Sequence, residues 1–171
     1  MPRSTRPKAG GLGELLARLA DWYAEHRPRY LKGLRPGASD RQLEALGFPV
    51  PDSLRQLLQW HNGQKPDFIG SLVESWRLMS TIEIGEAKRE LAAETGWQAA
   101  WIPFLDDDAG DYVCLDASQP NAPVREYWLG KKEHPIVAPS LEAWFAEFVA
   151  AVERGEYEED PERGTFLRKR G

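Results

Sequence analysis

A run of carboxylates between two apolar segments is the feature of this sequence best suited to chemistry. It consists of Asp106-Asp107-Asp108-Ala109-Gly110-Asp111. Closely spaced carboxylate oxygens can hold a hard cation such as Ca²⁺ or Mg²⁺. The spacing differs from that of a calcium-binding loop, because glycine falls at the fifth position instead of the sixth and Ala117 stands where a Glu is required. We therefore expect no metal site here and interpret the run as an acidic turn.

Histidine and cysteine offer no assembled reactive group. His61 lies in a Trp-His-Asn-Gly sequence at a predicted helix end, where a capping role is favoured over catalysis. His26 and His134 are isolated, and no pair of His or Cys has the spacing of zinc ligands. Cys114 lies in an apolar segment and is interpreted as a packed thiol, with a spatial pairing to a histidine as the alternative. No phosphate loop, dinucleotide fingerprint or nucleophile elbow is present, so we expect no catalytic residue and no cofactor.

Asp116 and the tryptophans could each serve either structure or binding. Asp116 ends a predicted strand, where a turn-forming role is favoured over that of a buried carboxylate. Most of the seven Trp residues fit the period of a core, and Trp144 fits it best. Trp97 follows a predicted helix end, which favours an exposed position in which indole can anchor a protein partner.

Periodicity and capping signals indicate how these residues are positioned. Helices are predicted from Leu12 to Pro28, after Ser39, from Pro51 in a first turn to Asn62 and Gly63, from Ser80 to about Thr95, and from Ser140 to Gly155. Strands are predicted over 76–79, over 101–105 and 111–115 as a hairpin around the acidic turn, and over 124–129. The pattern predicts a single α+β domain with N-terminal helices, a central, mostly antiparallel sheet and a C-terminal helix packed on the sheet.

Charge distribution limits the classes of partner. Seven Lys and Arg residues lie in 1–8 and 163–170, and removing them from the net charge of −5 leaves −12 for residues 9–162. A body this acidic repels nucleic acid and attracts a basic protein. No apolar run is long enough to span a membrane. The single Cys114 suits a reducing compartment, so a cytoplasmic location is expected.

Three segments of the chain together carry a resemblance. The first is Leu46-Gly47-Phe48-Pro49-Val50-Pro51 followed by Leu54 to Leu58 and Trp60-His61-Asn62-Gly63-Gln64. The second runs from Trp101-Ile102-Pro103-Phe104-Leu105 through the acidic turn to Asp116, and the third is Val124 to Trp128 with the aromatic helix from Ser140. In this order they resemble the SUKH superfamily, whose type is a fungal regulator of cell-wall synthesis. An acidic turn stands where a more glycine-rich turn is common in that family.

The resemblance implies a non-catalytic protein-binding module. Many bacterial members resemble immunity proteins that neutralise toxins, so we expect a partner such as a basic toxin domain, bound through Asp106, Asp107, Asp108, Asp111 and Trp97. The alternatives are an adaptor in cell-envelope or signalling regulation and a cation-dependent enzyme using the Asp106–Asp111 turn. The remaining motif residues are assigned structural roles: Pro51, Trp60, His61, Asn62, Gly63, Gly110, Asp116 and Trp144. The expected organisation is a flexible leader over 1–11, a SUKH-like domain over 12–155 and a solvated charged tail over 156–171, in which Phe166 and Leu167 could dock on the body.

Overall fold

A computed structural model of the protein describes residues 11–170. The leader predicted over 1–11 therefore lies, except for Gly11, outside the described residues. The helices are α1 (Leu12–His26), α2 (Pro28–Lys32), α3 (Asp40–Glu44), α4 (Asp52–Trp60), α5 (Thr81–Leu91) and α6 (Leu141–Glu153). The strands are β1 (Arg77–Leu78), β2 (Trp101–Asp106), β3 (Tyr112–Asp116), β4 (Val124–Tyr127), β5 (Ile136–Ala138), β6 (Tyr157–Glu159) and β7 (Phe166–Arg168).

Strands β1 to β5 form one antiparallel sheet in chain order. Every residue of β2 is buried, and its register with β3 pairs Trp101 with Asp116 at one end and Asp106 with Tyr112 at the other. A bulge between Pro103 and Leu105 absorbs one residue of β2. The hairpin predicted around the acidic turn is thus the centre of the sheet.

Helices cover the sheet and confirm the predicted α+β architecture. The apolar stripe of α1 packs against α4 and α6, while α6 also contacts β5 and α5 packs on β2. The stripe of α6 buries Leu141, Phe145, Phe148, Val149 and Val152. Burying such side chains stabilises the fold by roughly 1.5–3 kcal/mol each.

Side-chain caps explain where three of the helices begin. Ser39 and Ser80 each form a complete capping box, with Gln42 and Glu83 respectively, as the sequence predicts. Ser140 accepts a hydrogen bond from the Ala143 amide at the start of α6. The prediction that Pro51 lies inside the first turn of α4 is wrong, because Pro51 has an extended ψ of 146° and precedes the helix as its N-cap.

The segment after Gly155 forms two strands whose charged side chains are exposed or half-buried, while Phe166 docks on the body, as the sequence allowed. β6 and β7 form a hairpin, and Phe166 is fully buried while Leu167 remains 41% exposed. The Arg27 side chain lies 4.3 Å from the Phe166 ring centre and donates to the carbonyls of Ser71 and Gly164. The two strands were not predicted, because the many charged residues of this segment obscure its short apolar alternation.

Two further details differ from the sequence prediction. β5 was not predicted, because its three residues carry no alternation long enough to be recognised. Trp144, predicted as the surest core tryptophan, is only half-buried and meets Phe104 edge-on, whereas Trp76 and Trp101 are buried. Among residues 11–170, every helix is too short or too polar to cross a bilayer.

Candidate functional site

The acidic turn joins β2 to β3 and is held by its own carboxylates. An Asp106 carboxylate oxygen accepts the Asp108 amide at 3.0 Å, and one oxygen of Asp107 accepts the amides of Ala109 and Asp111 at 2.9 and 3.1 Å. Asp108 adopts a left-handed φ of +60°, which Asp tolerates better than most residues. Two of the four predicted binding carboxylates are therefore engaged in shaping the turn.

The far side of the turn is fixed to the end of β4. The Asp111 carboxylate accepts the Leu129 amide at 2.8 Å. Gly110 has a φ of +100°, and a Cβ at this position would lie 2.7 Å from the Leu129 side chain. Both the backbone angle and the close approach therefore favour glycine at this position.

Arg77 partly neutralises the turn from β1. Its guanidinium lies 3.5 Å from an Asp108 oxygen and 3.9 Å from an Asp106 oxygen. The Asp108 side chain remains 70% exposed, whereas Asp106 is buried. Burial and the neighbouring Asp108 charge raise the pKa of Asp106 to about 7, although Arg77 opposes the shift.

A cavity of about 300 Å³ lies between α5 and the acidic turn. It is lined by five carboxylates and by Met79, Ala87 and Tyr112. Among residues 11–170, no Lys or Arg lines this cavity, which we call the acidic groove. The lining carboxylates are Glu83, Glu86, Glu90, Asp106 and Asp108.

The glutamates of the acidic groove were not predicted as site residues. Glu83, Glu86 and Glu90 recur at helical spacing on one face of α5, and this is the signal that the sequence contained. Glu83 also accepts the Ser80 amide in the capping box, whereas Glu86 and Glu90 are exposed. Only the packing of α5 on β2 shows that this face meets the acidic turn.

Trp97 is separated from the acidic groove. Its ring is half-buried and packs edge-on against Trp101 and Tyr127, with ring centres 5.4 and 5.2 Å apart. It does not line the groove. The predicted exposed anchor is therefore largely a packing residue, and the structure does not bring it together with the Asp residues.

Asp116 combines the two roles that the sequence left open. It is buried, its carboxylate accepts the Ser118 amide at 3.0 Å as a turn former, and it pairs with Arg125 at 3.0 Å. Burial alone would raise the pKa of Asp116, but the hydrogen bonds from Ser118 and Arg125 outweigh it and lower the pKa below its usual value. Arg125 in turn lies 4.9 Å from the Trp101 ring centre. These contacts stabilise the fold.

The Trp-His-Asn-Gly motif joins α4 to α5. The Asn62 side chain accepts the Thr81 amide at 2.7 Å and thereby binds the first turn of α5. Gly63 has a φ of +77°, and a Cβ at this position would clash with the backbone of Met79 and Ser80, at a distance of only 2.4 Å from the Ser80 nitrogen. The His61 ring forms a hydrogen bond with the Arg35 carbonyl at 2.7 Å. The Trp60 ring packs edge-on against the His61 ring. All four residues therefore have contacts within the fold.

The remaining reactive side chains are enclosed or stacked. Cys114 is fully buried, and burial raises the pKa of its thiol well above the usual value. His134 stacks on Tyr127 with ring centres 4.5 Å apart, and burial, followed by the charge of Arg125, lowers its pKa. Within residues 11–170, no three His, Cys, Asp or Glu side chains gather in a way that could hold a metal ion.

Comparison with known proteins places the chain in a family. The model of the SMI1 / KNR4 family (SUKH-1) matches residues 37–147. The chain belongs to this family. No curated protein matches the chain. The SUKH-1 match runs from just before α3 into α6, so it contains the acidic turn and the acidic groove, whereas α1, α2 and the C-terminal hairpin lie outside it.

Proposed function

We propose that this SUKH-1 protein is a non-catalytic module that binds another protein, and that it acts as an immunity protein by occluding a basic toxin. The acidic groove carries this proposal. Its lining includes five carboxylates, of which Glu86, Glu90 and Asp108 are exposed to an approaching partner. Clustered charge of one sign around a concave surface speeds encounter with an oppositely charged protein.

The surroundings of the reactive groups favour binding over catalysis. Catalysis by a nucleophile requires an accessible side chain within hydrogen-bond reach of a base. Cys114 is fully buried, and the Asp106 and Asp107 carboxylates bond the backbone of their own turn. The acidic groove therefore offers a surface for recognition, and the buried Cys114 agrees with a reducing compartment such as the cytoplasm.

Affinity capture from the native cell tests the proposal with matched variants. Glu86→Lys combined with Glu90→Lys reverses the exposed rim of α5, and Glu44→Lys with Asp40→Lys makes the same charge change on α3, outside the groove. We expect wild type and the α3 variant to retain one basic protein that the α5 variant loses, and that protein to lose its toxicity when bound. Equal capture by all three, or an acidic captured protein, would contradict the proposal.

A further inference from the structure

A cavity of about 490 Å³ lies between α2 and the loop that follows α4. Three exposed cations line it, against one carboxylate, in a chain whose net charge is −5. We call it the basic cavity. The charged residues are Arg29 and Lys32 of α2, and Lys65 and Asp67 of the loop.

The floor of the basic cavity is preformed. The Phe68 ring packs edge-on against the Tyr30 ring, with ring centres 5.7 Å apart, and the Arg29 guanidinium lies 5.3 Å from the centre of the Phe68 ring. Phe68 also lies against Gly33 so closely that a Cβ at this position would overlap the ring. The Lys65 amide donates to the Gly33 carbonyl at 2.8 Å, which fixes the loop to α2. A rigid floor lowers the entropy cost of binding.

The cations of the basic cavity are not engaged elsewhere. Within residues 11–170, Arg29, Lys32 and Lys65 make no ion pair within 4.0 Å and no side-chain hydrogen bond. Unpaired cations beside an apolar floor fit a carboxylate that has an apolar neighbour.

The charge of the surrounding surface selects the kind of anion. A second cavity, of about 450 Å³, shares Pro66, Asp67 and Phe68 with the basic cavity. Its lining also includes Asp107 and Asp108 together with Arg77 and Arg163, so three carboxylates face two cations there and the positive surface does not continue. An extended polyanion such as RNA would meet these carboxylates, whereas a short acidic peptide segment would not. We propose that the basic cavity binds an acidic segment of a protein partner, with a carboxylate facing Arg29, Lys32 and Lys65 and an apolar side chain on Phe68.

This inference extends the proposed function by giving the partner an acidic segment beside its basic face, and it can be tested without that partner. The probe is the blocked peptide acetyl-Glu-Leu-Glu-Glu-Leu-amide, titrated into the full-length, ¹⁵N-labelled protein. We expect amide shifts to concentrate at residues 29–33 and 65–68. Lys32→Glu combined with Lys65→Glu should weaken binding at least about tenfold. Lys131→Glu with Lys132→Glu makes the same charge change at exposed positions that line neither cavity and should weaken it less than about twofold.

Gly33→Ala tests the floor without altering charge, because it displaces the Phe68 ring, and it should weaken peptide binding several-fold. The inference is overturned if no amide shifts appear at residues 29–33 and 65–68, or if the Lys131 and Lys132 variant weakens peptide binding as much as the Lys32 and Lys65 variant. It is also overturned if inorganic phosphate binds as tightly as the peptide, or if single-stranded oligouridylate binds more tightly. None of these outcomes bears on the proposed binding role of the acidic groove. Conversely, the loss of partner capture expected for the Glu86→Lys and Glu90→Lys variant tests the proposed function without involving the basic cavity.

Discussion

Asp106 shows most clearly how a single side chain of the site differs from its sequence description. The sequence presents it as one of four equivalent Asp residues, but the register of β2 with β3 buries it beside Arg77. Asp107 and Asp111 likewise bond backbone amides, whereas Asp108 pairs with Arg77 and is the carboxylate of the turn most exposed to solvent. The turn could be predicted from its composition. Which of its carboxylates bond backbone amides and which stay exposed could not, because this depends on which amides the folded chain brings near each one.

Replacing Asp106 with Asn should change the pH dependence of stability. The folded pKa of about 7 exceeds the unfolded value of 3.8, so the native state binds the proton more tightly. The contribution of Asp106 to stability is therefore complete below about pH 4 and falls as pH rises toward 7. Asn mimics the protonated form and keeps the acceptor for the Asp108 amide. Urea unfolding should show Asp106→Asn to be more stable than wild type by roughly 1–3 kcal/mol at pH 8.

The advantage of the Asn variant should shrink between pH 7 and pH 5. Glu44→Gln, an exposed substitution on α3, should follow the wild-type profile. Parallel profiles for wild type and Asp106→Asn across this range would show that Asp106 does not take up a proton near neutral pH.

At the scale of elements, the sequence predicted those whose signals are local. The capping boxes at Ser39 and Ser80 and the apolar period of α1 involve neighbours within one or two helical turns. β5 was missed because its three residues are too few to show alternation, and the place where the C-terminal hairpin docks could not be predicted because its contacts are distant in sequence. The Glu74 amide, for example, donates to the Phe166 carbonyl at 2.7 Å. The acidic groove was missed for the same reason, because its two halves come from α5 and the β2–β3 turn.

The docking of the C-terminal hairpin predicts unequal effects of neighbouring substitutions. Phe166→Ala removes a fully buried ring that contacts Tyr23, Tyr157 and Arg27, and it should destabilise the protein by about 3–5 kcal/mol. Leu167→Ala alters the adjacent, 41% exposed side chain and should cost less than about 1 kcal/mol. Urea midpoints measure both. Similar small losses for the two variants would show that the hairpin does not contribute to the core.

At the scale of the whole molecule, the surface carries two cavities of opposite charge. The acidic groove lies between α5 and the β2–β3 turn, and the basic cavity lies beside α2. The net charge of −5 predicted a basic partner, but it could not reveal a basic cavity, because Arg29 and Lys65 are distant in sequence and meet only in the fold. A surface with both signs can orient a partner as well as attract it.

The rate at which the captured partner associates with the purified protein, measured at about 20 mM and about 500 mM salt, tests the central claim most directly. If the acidic groove recognises a basic protein, Glu86→Lys combined with Glu90→Lys should slow association about tenfold or more at low salt and less than about twofold at high salt. The matched Asp40→Lys and Glu44→Lys variant should change little at either. Equal slowing by the α5 variant at both salt concentrations, or no slowing at all, would contradict the role of the acidic groove.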